Sequence, residues 1–157
     1  AVHQGGSPGR PSPLRAAAEE VHGVGGSLTD EQRTVALYWA DNGGETGTPV
    51  GHWLWIASLI GRERGLSGPA AARMAMVTAV AQADAFIAAF GYKYQYNYIR
   101  PRTYIRRVID PKWEPLIPTP PFPEYPSAHS TQSAAAAVSL TAFTPQRRDR
   151  LSSGTVT

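Results

Sequence analysis

Apolar positions recur along the chain with helical spacing, and no stretch shows the strict alternation typical of a strand. A short helix is predicted over 16–22, and the glycines of 23–26 end it. A second helix follows and stops at the Asp-Asn-Gly-Gly run of 41–44. Its candidate N-caps, whose side chains can accept a hydrogen bond from the first turn, are Ser27, Thr29 and Asp30.

Two longer helices are predicted in the middle of the chain. The first runs over 52–64, and the second begins near Pro69, a residue suited to a first turn, and continues into the nineties. Over 74–90 the second helix is apolar nearly all round, which is typical of a bundle centre or a membrane span. Because this stretch is short, rich in alanine and carries Asp84 in its middle, we expect a bundle helix and no membrane span.

Prolines crowd the segment 110–126. They fix φ and remove backbone donors, so they predict an extended surface connection in place of a helix or a central strand. A last helix is predicted from near Ser127 to Phe143. The predicted fold is therefore all-α, a helical bundle.

Composition bounds the class of protein. The 157 residues can bury one sizeable core, and 42% hydrophobic with 17% charged residues is typical of a globular chain. A net charge of +3 favours small anionic ligands and is too weak to indicate nucleic acid. The absence of cysteine excludes disulfides, thiolate metal sites and cysteine nucleophiles. The chain begins with Ala1 and shows no signal-peptide pattern, so we expect a processed chain or a fragment.

The first candidate site is a pair of cations, Lys93 and Arg100, seven residues apart. In a helix this spacing is nearly two turns, about 10 Å of rise, so we expect both side chains on one face, converging on one anion. A planar guanidinium and an ammonium together suit phosphate-like oxyanions. Pro101 disfavours helix at Arg100 and is expected to turn it inward. The alternative is a solvated basic turn, because further cations follow at Arg102, Arg106, Arg107 and Lys112.

The second candidate site is the start of the last helix, where a proline-rich approach delivers Ser127, Ala128 and His129. Free N–H groups at a helix N-terminus bind anions, and the Ser127 hydroxyl can add a donor. His129 titrates near neutrality and can act as a general acid or base. In the alternative interpretation, Ser127 is an ordinary N-cap and His129 faces solvent.

Together the two segments resemble a known family. Lys-x6-Arg-Pro at 93–101, followed by Pro-Ser-x-His at 126–129, is similar to the first two signature motifs of the type 2 phosphatidic acid phosphatase (PAP2) superfamily. That superfamily includes acid phosphatases, lipid phosphatases and vanadium-dependent haloperoxidases. Within this superfamily, the chain most resembles the soluble bacterial haloperoxidase branch. The resemblance lies in the proline-rich segment 110–127, in Trp-Ala-Asp at 39–41 and in Gly-His-Trp at 51–53.

The resemblance implies a bundle of the PAP2/haloperoxidase type and a role for each matching residue. It implies that Lys93 and Arg100 bind oxygens of vanadate, or of phosphate as its analogue, and that Ser127 donates to the same anion. Ala128 stands where the family usually has Gly, whose backbone N–H binds an oxygen. His129 matches the acid/base histidine.

Phe122 and His52 carry further expectations. Phe122 matches a halide-pocket position that is aromatic in chloroperoxidases and often His in bromoperoxidases. His52, beside Trp53, is expected to pack or hydrogen-bond in a core and not to ligate. The resemblance covers roughly residues 30–145.

The family's third motif, Ser-Arg-x5-His-x3-Asp, has no match in the sequence, where Arg147, Arg148 and Arg150 are followed by no His. That motif supplies a second anion-binding Arg and the His that ligates vanadium or attacks phosphorus. We therefore expect no metal ligand within this chain and an incomplete bundle, which a companion chain or a C-terminal segment would complete.

Three functions are open at this point. The first is a vanadate-dependent haloperoxidase, which uses hydrogen peroxide to oxidise a halide at fixed donors aimed at an oxyanion. The second is an acid phosphatase that acts on a phosphomonoester. The third is a non-catalytic, truncated member that acts as an anion-binding or interaction protein.

The chain is expected to consist of a flexible arm over 1–26, a helical domain over 27–145, and 146–157 as a polar tail or the start of the missing segment. No nucleic-acid partner is expected, because no recognised motif accompanies the basic cluster. An extracellular or periplasmic location is favoured. Exposed bundle faces would favour association into homo-oligomers.

Overall fold

A computed structural model describes residues 12–42, 44 and 47–144. Over these residues the chain forms α-helices and no strand, which confirms the all-α prediction. The helices are α1 (Pro13–Gly26), α2 (Asp30–Tyr38), α3 (Thr48–Glu63), α4 (Gly68–Tyr96), α5 (Pro101–Val108) and α6 (Ala128–Phe143).

Helix α1 begins earlier and runs longer than predicted. The Ser12 hydroxyl accepts a hydrogen bond from the backbone N–H of Arg15 at 3.3 Å, and Pro13 occupies the first turn, so the helix starts at a capped end. Ala18 is buried, and α1 packs against α5. The part of the predicted flexible arm that the structure describes is therefore a packed helix, and residues 1–11 lie outside the described residues.

Helix α2 takes Thr29 as its cap among the three candidates. The Thr29 hydroxyl accepts from the N–H of Gln32 at 3.2 Å, and the Gln32 side chain accepts from the N–H of Thr29 at 2.9 Å, forming a capping box. After α2 the chain turns at Asp41, whose φ of 48° lies in the left-handed region. Aspartate adopts this region more readily than most residues. Asp41 can therefore form the turn and also place a carboxylate there.

Helix α4 ends sooner than the spacing argument required. Asn97 adopts the left-handed conformation (φ 47°) and its N–H donates to the carbonyl of Lys93, which closes the helix. Arg100 is extended, and Pro101 begins α5, a helix that the pattern did not predict. The expectation that Lys93 and Arg100 share one helical face is therefore wrong. Arg100 is extended, as expected for a residue before proline, although α4 already ends at Tyr96.

The core lies where α4 meets α3 and α6. Ala57, Met74 and Leu140 form its buried cluster, one from each of these helices. Indole Nε1 of Trp53 donates to the Ser133 hydroxyl at 3.0 Å, which adds a polar tie between α3 and α6. This arrangement fixes the last turns of α4 beside the start of α6, so both candidate sites lie on neighbouring elements.

One face of α4 is uncovered. Its large apolar side chains Met76, Val80 and Ile87 are exposed, as is Val138 of α6. Among the described residues, the stretch Gly68–Val108 is long and apolar enough to cross a membrane by length and composition alone. This is weak evidence, because core helices of soluble proteins pass the same test.

Candidate functional site

Lys93 is buried at the end of α4, with 2% of its surface exposed. Its ammonium donates to the carbonyls of Pro123 at 2.9 Å and Glu124 at 2.8 Å. Burial, and then the charge of Arg100, lower the pKa of Lys93, while the charge of Glu124 acts in the opposite direction. An ammonium has three donors, so these two carbonyls leave one for a further acceptor.

Arg100 is held by the same proline-rich segment. Its Nε donates to the carbonyl of Phe122 at 2.6 Å, and Nη1 donates to Oε2 of Glu124 at 2.7 Å. The third nitrogen, Nη2, is buried and has no hydrogen-bond partner among the residues that the structure describes. A buried donor without an acceptor costs about 1–3 kcal/mol, so this nitrogen indicates a place for an anion or another acceptor.

The Phe122 ring joins the two cations. Its centroid lies 5.1 Å from Nζ of Lys93 and 4.8 Å from Cζ of Arg100. Cations at these distances from an aromatic face are attracted to it. The structure therefore brings Lys93 and Arg100 together across one ring, after the helix has ended at Asn97, and not by helical spacing.

Ser127, Ala128 and His129 begin α6 as predicted. The Ser127 hydroxyl caps the helix by accepting from the N–H of Ser130 at 3.2 Å, and its own hydrogen stays available to donate. Ala128 opens the helix, where backbone N–H groups lack intrahelical partners. His129 is exposed, and its Nε2 lies 3.2 Å from the carbonyl of Ala40. Since a carbonyl only accepts, this contact requires a hydrogen on Nε2.

A mainly apolar cavity of about 540 Å³ lies beside the start of α6. Phe122 forms part of its wall together with Ala128 and His129. The rest of the wall comes from Thr48, Pro49, Val50, Ala83, Phe86, Ile87, Phe90 and Gln132. The ring of Phe122 thus lies near both cations, and Phe122 also lines the same cavity as Ala128 and His129.

A second polar cluster, not part of the predicted site, lies at the end of α2. His52 is buried, as expected, and its Nδ1 lies 3.0 Å from both carboxylate oxygens of Asp41. Its Nε2 lies 3.0 Å from the hydroxyl of Tyr38, and the Trp39 ring stacks on the imidazole. Since a carboxylate only accepts, the contact with Asp41 requires a hydrogen on Nδ1, while Nε2 shares a hydrogen bond with the Tyr38 hydroxyl.

Glu114 pairs with two arginines of the basic cluster that follows Arg100. Its carboxylate accepts from Arg102 at 2.6 and 2.7 Å and also from Arg106. These arginines lower the pKa of Glu114, chiefly through the hydrogen bond from Arg102. The cluster is therefore partly neutralised within the chain.

Sequence reasoning missed Glu124. Neither motif includes it, although its backbone carbonyl accepts from Lys93 and its carboxylate accepts from Arg100. The available signal was an acidic residue three positions before Ser127, whose hydroxyl is expected to share an anion with the two cations.

The unsatisfied donors fit an oxyanion better than a cation. The candidates are Nη2 of Arg100, the remaining N–H of Lys93, the Ser127 hydroxyl and the N–H groups at the start of α6. A tetrahedral oxyanion such as vanadate or phosphate accepts from donors of this kind. Within the described residues, no group of three or more His, Asp or Glu side chains could hold a metal ion.

Both the sequence and the fold of this chain are similar to known proteins. A family model described as the VCPO second helical-bundle domain matches residues 73–112 and 107–156. The fold is similar to a solved structure titled as the first bacterial vanadium-dependent iodoperoxidase, with a TM-score of 0.80 and 36% sequence identity. That match covers 88% of this chain and 36% of the other, so the chain spans about a third of the length of that relative. No curated protein matches.

Proposed function

The chain belongs to the vanadium haloperoxidase family, and from that membership we propose that it carries the oxyanion-holding part of a vanadate-dependent haloperoxidase, which oxidises a halide with hydrogen peroxide. The observation that carries the proposal is the buried, unpartnered Nη2 of Arg100, on a guanidinium that shares the Phe122 ring with Lys93. An incoming oxyanion would satisfy that nitrogen and would be held by two positive charges.

Four residues are proposed to hold the anion. Lys93 and Arg100 would balance its negative charge, while Ser127 would donate from its hydroxyl and Ala128 from its backbone N–H. The donors are fixed before the anion arrives, because the carbonyls and the carboxylate of 122–124 orient both cations. The chemistry that bound vanadate would supply is activation of hydrogen peroxide toward a halide ion.

His129 is proposed as the acid/base residue. Its Nε2–H donates to the carbonyl of Ala40, so in the neutral imidazole Nδ1 is the atom that can take up a proton. The side chain is exposed and borders the apolar cavity, so reactants in that cavity could exchange a proton with it.

Phe122 is proposed to line the halide pocket. The cavity wall next to it is apolar, which reduces the competition from water for a weakly hydrated anion or an organic acceptor. Because its ring also touches Lys93 and Arg100, a substitution there would alter the cation pair as well as the pocket.

This sequence is proposed to supply anion holding, proton transfer and the wall of the halide pocket, but not the whole site. The family's second anion-binding Arg and its vanadium-ligating His match no residue of the sequence. We propose that a companion chain or a C-terminal segment supplies them.

The direct test measures the binding of vanadate, and separately of inorganic phosphate, by isothermal titration calorimetry. Arg100→Gln removes the charge and the unpartnered nitrogen, and we expect roughly a 10- to 100-fold loss of affinity, the equivalent of one charge-assisted hydrogen bond. Arg107→Gln is the matched control, because Arg107 is an exposed cation on α5. Equal effects of the two substitutions, or no binding by the unmodified protein, would overturn the proposal.

Turnover separates the three candidate functions. The chain, mixed with a polypeptide that carries the third motif, is assayed for vanadate-dependent bromination of a dye by peroxide and for hydrolysis of a phosphomonoester. Halogenation that requires vanadate supports the haloperoxidase. Phosphate release without vanadate would favour the acid phosphatase, and anion binding without either reaction would favour the non-catalytic protein.

A further inference from the structure

Glu124 lies at the solvent side of the cation pair. Its side chain is 39% exposed, whereas that of Arg100 is 17% exposed, and the two are joined by a 2.7 Å hydrogen bond from Nη1 to Oε2. The backbone N–H of Glu124 donates to the carbonyl of Tyr98 at 3.0 Å. Main chain and side chain of Glu124 are thus both anchored beside Arg100.

The carboxylate limits how an anion can meet Arg100. A guanidinium offers two edges for bidentate recognition, and Nη2 belongs to both. On one edge the single hydrogen of Nε is engaged by the carbonyl of Phe122, and on the other Nη1 already uses one of its two hydrogens for Glu124. An incoming oxyanion therefore meets mainly Nη2, next to a carboxylate that is already bound.

The charges of the cluster are partly balanced before any anion binds. Lys93 and Arg100 repel each other, and the charge of Arg100 lowers the pKa of Lys93. The charge of Glu124 raises that pKa and so offsets part of the repulsion. Two cations and one carboxylate leave a net charge of about +1 at the place where the oxyanion is proposed to bind.

We propose that Glu124 is a built-in counter-anion that lowers the affinity of the Lys93–Arg100 pair for oxyanions. This inference rests on the proposed function, because it concerns the same site. A negative charge several ångströms from the bound anion repels it. Removing that charge should tighten binding of a singly charged anion roughly 3- to 100-fold at effective dielectric constants between water and a protein surface.

The test compares two substitutions of one residue in the full chain. Glu124→Gln removes the charge and keeps an acceptor oxygen for Arg100, whereas Glu124→Asp keeps the charge and shortens the side chain. We expect Glu124→Gln to bind vanadate and phosphate at least threefold more tightly by calorimetry, and Glu124→Asp to stay close to the unmodified protein. If Glu124 merely shaped the segment, the shorter Asp would disturb binding as much as Gln does.

Glu114→Gln is the matched control. It removes the same charge from a carboxylate that Arg102 and Arg106 hold, and it should change the anion affinity less than twofold. A second measurement does not depend on added anion. NMR titration of the Lys93 ammonium should give a lower pKa in Glu124→Gln than in the unmodified chain, because a charge that raises it is gone.

The outcomes separate this inference from the proposed function. If the unmodified chain binds phosphate and Glu124→Gln binds equally or more weakly, the counter-anion role is wrong while the oxyanion site stands. If neither protein binds vanadate or phosphate, the proposed function fails, and this inference fails with it. Unchanged titration of Lys93 in Glu124→Gln also contradicts the inference, whatever the anion affinities are.

Discussion

The carboxylate of Asp41 holds the imidazole of His52, with both oxygens 3.0 Å from Nδ1 and both side chains buried. The pair ties the end of α2 to α3. The residue before Asp41 is Ala40, whose carbonyl contacts His129. A pair outside the predicted site therefore fixes the segment against which the proposed acid/base residue rests.

Loss of this pair should destabilise the protein. His52→Gln removes the aromatic ring and one of the two hydrogen bonds, and we expect it to lower the free energy of unfolding by about 1–3 kcal/mol. Asp41→Asn should have an effect of similar size through lost charge, because Asn also tolerates the left-handed backbone at this position. Urea unfolding, monitored by circular dichroism, measures the free energy of unfolding of both variants.

His22 supplies the matched control for His52. It faces Asp110 at 3.7 Å, with both side chains partly exposed. Surface pairs of this kind contribute little, so His22→Gln should change the free energy of unfolding by less than about 0.5 kcal/mol. Equal losses for the two histidines would contradict the special role given to the buried pair.

Binding of phosphate should weaken at alkaline pH earlier than an ordinary lysine would allow. Lys93 must be charged to attract the anion, and burial with the nearby Arg100 lowers its pKa from 10.5. The ammonium therefore loses its proton below pH 10.5, and affinity falls as the pH rises through the lowered value. Phosphate affinity measured by calorimetry at several pH values above 8 gives the midpoint.

Arginine at the same position tests the assignment. Lys93→Arg stays charged throughout this range, so its alkaline loss of affinity should disappear even if its affinity at neutral pH is lower. Lys112→Arg changes an exposed lysine and should leave the midpoint where it was. A midpoint that stays the same in Lys93→Arg would show that another group titrates.

Much of the fold could be predicted, because apolar periodicity and capping residues in the sequence indicate long helices. The helices α3, α4 and α6 follow from apolar spacing, from Pro69 in a first turn and from Ser127 as a cap. Helix α5 could not be predicted in this way, because it is eight residues long and half of it is cationic or polar. Its packing on α1 is a tertiary contact that no local pattern records.

The candidate site shows the same division. The motifs named Lys93, Arg100 and Ser127, because their chemistry is visible in single residues. The way in which Lys93 and Arg100 meet could not be predicted, since it depends on the end of α4 at Asn97 and on the carbonyls of 122–124. The fold sets the distance between the two cations. Their spacing in the sequence would predict that distance only if both residues lay in one continuous helix.

Two helix caps separate the structural and the anion-binding roles of Ser127. Ser127 caps α6 and Thr29 caps α2, each by accepting a backbone hydrogen bond at 3.2 Å. Ser127→Ala and Thr29→Ala should each lower the free energy of unfolding by about 1 kcal/mol, because each leaves a first-turn N–H without its partner. Only Ser127→Ala should also weaken phosphate binding, since its hydroxyl is the one proposed to donate to the anion. If both substitutions lower stability and neither changes phosphate affinity, Ser127 is a cap and nothing more, and the anion is held without it.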